Sequence, residues 1–159
     1  MAISYSVESH TYMNPGNLIA ENYGEHMVSL DITDMGDTDN GTIVKVGKMK
    51  SLDLWAPEKA TTIDAYIALQ GADGTWLVVI NSTEDDKTAV IYQKPLINEE
   101  SPKKLTDLKN FYNDPTDGAV RGYILHSLDR FWLDADGFVG TPAKDAKITT
   151  ITDGKLVIA

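Results

Sequence analysis

Between residues 63 and 80 two strand patterns stand on either side of a turn, and that pairing sets most of what the chain can become. Ile63, Ala65, Ile67 and Leu69 alternate with Asp64, Tyr66, Ala68 and Gln70; Gly71-Ala72-Asp73-Gly74 then turns the chain into Trp76-Leu77-Val78-Val79-Ile80. A period of two places successive side chains on opposite faces of a strand, so the first run has one buried face and the pair forms a hairpin. The second run is apolar on both faces and belongs in the centre of a sheet, covered on both sides. The same grammar closes the chain. Lys147-Ile148-Thr149-Thr150-Ile151-Thr152 and Lys155-Leu156-Val157-Ile158 flank Asp153-Gly154, the dipeptide type that suits a two-residue type I′ turn, where both central residues need positive φ.

Further strands are expected along the chain. Val28, Leu30 and Ile32 alternate with Met27, Ser29 and Asp31; a run of turn formers, Asp34 to Gly41, leads into Thr42-Ile43-Val44-Lys45-Val46. Thr88 to Gln93, Ala119 to His126 and Arg130 to Leu133 read as strands as well. One short helix is expected at about 101–112: Ser101 as N-cap, Pro102 at the first helical position, Leu105, Leu108 and Tyr112 on one face, and Asn113-Asp114-Pro115 as the stop. The expected fold class is mainly β, a β-sandwich or small β-barrel with that helix and an irregular N-terminal arm.

The 159 residues suffice for one domain plus an arm. Residues 1–24 carry apolar side chains broken by Asn14-Pro15-Gly16-Asn17 without a sustained period, and residues 25–159 form the β-rich body. The arm either folds back on its own body or reaches a neighbour. The residues expected to touch a partner are Tyr12, Met13, Pro15, Leu18, Ile19, Tyr23 and, from the body, Trp55. Removal of residues 1–24 is expected to leave the body folded.

Net charge is −10, and it is unevenly placed: residues 1–40 hold seven acids and no Lys or Arg, whereas the remaining residues hold 17 acids and 14 bases. A nucleic-acid groove needs clustered bases, so nucleic acid is not an expected partner. No run reaches the roughly 18 consecutive apolar residues of a membrane span. The first residues lack a basic stretch followed by an apolar one, so a signal peptide is not expected and synthesis in a cytoplasm is.

Catalytic residue sets are not legible, and the chain is expected not to be an enzyme and to need no metal or cofactor. It has no cysteine, which removes thiolate chemistry. His126-Ser127-Leu128-Asp129 holds the residue types of a serine triad, but triad members come from separate elements with the base between nucleophile and orienter. The segment from Asp34 to Gly41 fails as a calcium loop: with Gly41 at position six, Gly36 stands at one and Gly47 at twelve, where carboxylates are required. His10, His26 and His126 lack ligand spacing. Trp55, Trp76 and Trp132 with seven tyrosines leave open an aromatic platform for glycans.

Three stretches resemble a family of small structural proteins encoded among the head genes of tailed bacteriophages. Asn40-Gly41-Thr42-Ile43-Val44-Lys45-Val46-Gly47 is similar to an early "NGT-hydrophobic-V-x-V-G" strand. Val120-Arg121-Gly122-Tyr123-Ile124-Leu125 with Asp129-Arg130-Phe131-Trp132-Leu133 is similar to "aRgY-x-L … D-x-F". Gly140-Thr141-Pro142-Ala143-Lys144-Asp145 leading to Asp153-Gly154-Lys155-Leu156 is similar to "G-x-P-A-x-G-D … G-K-L", with Asp145-Ala146 where the pattern has Gly-Asp. The resemblance implies a decoration or auxiliary role on the capsid surface of a virion, with the major capsid protein as partner. It transfers no catalytic residue. A homo-oligomer is expected, and a capsid three-fold position would favour a trimer. The alternative expectation is a carbohydrate-binding or head-fibre-like adhesion module.

Overall fold

The computed structural model describes residues 11–16, 18, 27–83, 87–93 and 112–159. Among the described residues twelve strands follow one another: β1 (Met13–Asn14), β2 (Met27–Asp31), β3 (Ile43–Ser51), β4 (Leu54–Lys59), β5 (Thr62–Gln70), β6 (Trp76–Thr83), β7 (Thr88–Ile91), β8 (Ala119–Ile124), β9 (Arg130–Leu133), β10 (Phe138–Val139), β11 (Lys147–Thr152) and β12 (Lys155–Ile158). Short 3₁₀ turns lie at Pro115–Asp117 and Ala135–Gly137. The chain is mainly β, with two sheets packed together as in a β-sandwich. The expected helix over about 101–112 lies outside the described residues except for Tyr112, which is not helical.

One of the two sheets closes on itself. Strands β2-β4-β3-β7-β8 form a barrel, and the remaining strands form an open sheet in the order β1-β9-β6-β5-β11-β12-β10. Sandwich and barrel, posed as alternatives by the sequence, occur together. Closure is possible because β2 runs parallel to β4 and antiparallel to β8, so it bridges the two ends of the other four strands.

The barrel wall facing the sheet is apolar on both sides. Ile43 of β3, Val90 of β7 and Tyr123 of β8 share a core with Ile63, Ile67, Val78, Ile80, Phe131, Leu133, Ile148 and Leu156 of the open sheet. Their neighbours Val44, Val46, Ala89, Ile91 and Val120 point the other way and fill the barrel with Leu30 and Ile32. Alternation along one strand thus feeds two cores. β7 is buried at all four positions. The double cover expected of Trp76 to Ile80 is therefore found on β7. β6 is central, between β9 and β5, but Leu77 and Val79 belong to neither core; they lie beside Trp132, Tyr66 and Arg130, their partners in register.

β4 holds a proline inside a barrel strand. Pro57 pairs with Val46 of β3, whereas the pairing of β4 with β2 involves only Leu54 and Trp55. The missing N–H falls where β4 has parted from one neighbour, so no ladder bond is lost. The β3 side compensates with a register shift between Val46 and Met49, centred on Gly47, where a Cβ would stand 2.8 Å from the Ala56 carbonyl oxygen.

Part of the N-terminal segment folds back on the body, one of the two courses open to it: residues 11–16 and 18 belong to this architecture. Met13 and Asn14 pair with Leu133 and Trp132, the Asp134 N–H donates to the Tyr12 carbonyl oxygen at 3.1 Å, and Met13 and Leu18 are 2% and 1% exposed within the shared core. Apolar side chains without a period had read as an arm; here they fill the end of a core built by other strands.

Candidate functional site

The three stretches that carry the family resemblance meet at one joint. Gly41 adopts a φ of +91°, and a Cβ there would stand 2.6 Å from Leu133 Cδ1. Gly154 adopts +79°, and its Cβ would stand 2.4 Å from Thr42 Cγ2. The Ile43 N–H donates to the Gly154 carbonyl oxygen at 2.9 Å. Both glycines are needed twice over, for left-handed backbone and for close approach. The type I′ expectation for Asp153-Gly154 is met, with φ of 50° and 79°.

A buried polar clasp holds the loop before this joint. The Asn40 side chain donates to the Gln93 carbonyl oxygen at 2.9 Å and accepts from the Gln93 N–H at 3.0 Å and the Asn113 amide at 3.1 Å. Asn113 also donates to the Thr38 carbonyl oxygen at 3.0 Å. Asn40 and Asn113 are buried, and a buried amide is tolerated when its donors and acceptors are met. The Thr11 N–H donates to the Asp39 carboxylate at 3.1 Å, tying the N-terminal segment to the same loop. Around it opens a cleft of about 570 Å³ whose charged lining is Asp37, Asp39, Asp153 and Lys155. Among the described residues, no group of three or more His, Asp or Glu is arranged to hold a metal ion.

His126 to Asp129 is a turn. The Asp129 carboxylate, 1% exposed, accepts the His126 N–H at 2.6 Å, Leu128 stands at φ 73°, and Leu128 N–H and Ile80 N–H bond to Ile80 and Asp129 carbonyl oxygens at 2.8 Å. His126 Nδ1 lies 3.2 Å from the Ile124 carbonyl oxygen and 3.9 Å from Asp129 Oδ2. The acid is directed at backbone, a strand-joining arrangement rather than nucleophile, base and orienter in series.

An ion pair stands at the end of β2. Lys50 Nζ lies 2.8 Å from Asp31 and 3.8 Å from Asp34. The Lys50 hydrogen bond first, and those from the Thr33 hydroxyl and N–H after it, hold the Asp31 carboxyl far below the usual carboxylate range, and the Asp31 hydrogen bond raises Lys50. Tyr12 is raised by burial and then by the Asp73 charge.

Of the expected partner residues, Met13, Pro15 and Leu18 are buried within the chain itself, and Tyr12 is half-buried. Ile19 and Tyr23 lie outside the described residues. Trp55 is half-buried against the barrel core and lines a cleft of about 350 Å³ with Ser29, Asp53 and Arg121. A second cleft, of about 530 Å³, gathers Asn14, Pro15, Gly16, Tyr92, Gln93 and Tyr123 around the same Arg121. The sequence reading passed over this cluster. Its only local signal is the period-two pair Arg121 and Tyr123; Tyr92 and Gln93 come from the end of the neighbouring β7, and Asn14 to Gly16 from the other sheet.

Compared with protein-family models, with curated proteins and with solved structures, the chain matches none.

Proposed function

We propose that this chain is a non-enzymatic structural protein of a tailed-phage virion that binds the outside of the capsid, with the major capsid protein as partner and a homo-oligomer, a trimer at three-fold positions, as the attached form. The observation that carries this reading is the joint. Residues distant in sequence that resemble one family of head proteins spend their side chains on each other, Gly41 against Leu133 and Gly154 against Thr42. That is what motifs of a structural family would do. Asp145 supports it too: it takes a left-handed φ of 65° where the family pattern has glycine.

Capsid attachment on this reading uses surfaces other than Met13 and Leu18, which the core already employs. Charge contributes to association, because a chain of net charge −10 is drawn to basic capsid patches. The test is to add the purified full chain to capsids that lack it and follow cosedimentation. Saturable binding at a fixed number of copies per capsid is expected; a folded, monodisperse chain that never cosediments overturns the reading.

A further inference from the structure

We infer that the outer face of the barrel carries a binding groove for neutral oligosaccharides, centred on Arg121. This inference is independent of capsid attachment. Arg121 and Tyr123 lie on one face of β8, Tyr123 buried in the shared core and Arg121 exposed at its margin, and the register sets Ser29 opposite Arg121 and Met27 opposite Tyr123 on β2. On the other side the Tyr92 N–H donates to the Arg121 carbonyl oxygen at 3.0 Å, and the Tyr92 and Tyr123 rings stand 6.4 Å apart at 40°. Arg121 lines both clefts, so the two are neighbouring compartments of one groove, each within the size range of small-ligand sites.

The lining selects the ligand class. A sugar ring has a C–H face that packs on aromatic or pyrrolidine rings and a rim of hydroxyls that donate and accept at once. Tyr92 and Pro15 in one compartment and Trp55 in the other supply rings. Arg121, Asn14 and Gln93 supply donors, and Asp53 and Ser29 supply acceptors. The two amides are held in place: Asn14 Oδ1 accepts the Gly16 N–H at 3.0 Å, and Gln93 Oε1 accepts the Arg121 N–H at 3.3 Å. Their planes are thereby fixed and their NH₂ groups are the ends offered to a ligand, the preorganisation that lowers the cost of binding.

Other classes fit less well. An extended peptide adds to a free strand edge, and β8 is paired on both sides, to β2 and β7. A polyanion needs several bases, whereas among the described residues Arg121 is the one base that lines the groove, and Asp53 lines it too.

The experiment presents the full chain to an array of neutral oligosaccharides, then titrates the strongest hit into ¹⁵N-labelled protein. The expected result is saturable binding with amide shifts concentrated at Ser29, Trp55, Tyr92, Gln93 and Tyr123. Arg121→Ala and Tyr92→Ala should each weaken affinity at least tenfold, with Trp132→Phe, on the open sheet, unchanged. Thermal melts confirm that the variants fold, and if one does not, the shift map on the unaltered chain decides. A blank array with folded protein overturns the inference. So do shifts confined to the Trp132 face, or binding only to an added heparin oligosaccharide that vanishes with salt and ignores Tyr92→Ala.

Discussion

At the scale of single residues, left-handed backbone separates positions that need glycine from one that merely tolerates its absence. Gly41→Ala and Gly154→Ala should each destabilise by more than about 1 kcal/mol, because strain at positive φ adds to a collision with Leu133 or Thr42. Asp145→Gly should do the reverse, raising stability by up to about 1 kcal/mol through relief of strain at φ 65°. Urea unfolding of the three variants checks both signs. Asp31 offers a pH test. Its folded value is depressed below the ordinary 3.8, so its stabilisation is complete above that ordinary value and is lost as pH falls through the folded one. In an NMR titration Asp31 should stay ionised when other surface carboxylates have protonated, and Lys50→Met should bring its midpoint back up. A midpoint unmoved by Lys50→Met would show that Thr33 alone holds the carboxylate.

Among elements, the hairpins were the legible part and the partners of each strand were not. Alternation at Ile63 to Leu69 and the Asp153-Gly154 turn led directly to β5, β6, β11 and β12, because periodicity and turn chemistry are local. β1 and β10, two residues each, leave no pattern to read, and β4 carries Pro57, a residue rarely found inside a strand. The course of the N-terminal segment was not legible for the same reason. Met13 pairs with Leu133 far along the chain and shares with Leu18 a core drawn from many strands, while turn formers dominate its own neighbourhood. The candidate groove was hidden likewise, since Tyr92 meets Arg121 across neighbouring barrel strands and Asn14 comes to them from the other sheet. Met13→Ala and Leu18→Ala should each cost about 2–5 kcal/mol, as large-to-small changes in a filled core do. Deleting residues 1–24 should leave a body with a markedly lower melting temperature, against the independence an arm would have. A truncated body that melts with the full chain would show the core closes without them.

For the molecule as a whole, the proposed attachment and the proposed groove make opposite demands on charge. If attachment to the capsid draws on net charge, affinity should fall steeply as sodium chloride rises past physiological strength, because exposed charges are screened beyond about 8 Å there. Cosedimentation across a salt series measures this, and a flat response assigns attachment to apolar contact instead. The groove around Arg121, built from planar polar groups and rings, should bind its ligand with little salt dependence, so the two activities are separable in one preparation.

The wall that barrel and sheet hold in common has a dynamic consequence. β7 has no solvent-facing side and both its edges are paired, to β3 and β8, so its backbone amides have no local route to water. They should exchange with deuterium only when the entire chain unfolds, at a rate set by the global free energy. The barrel cannot open and leave the sheet intact, since opening would bare the inner surface of the sheet's own core. Trp55 in one layer and Trp132 in the other should therefore report a single, coincident unfolding transition.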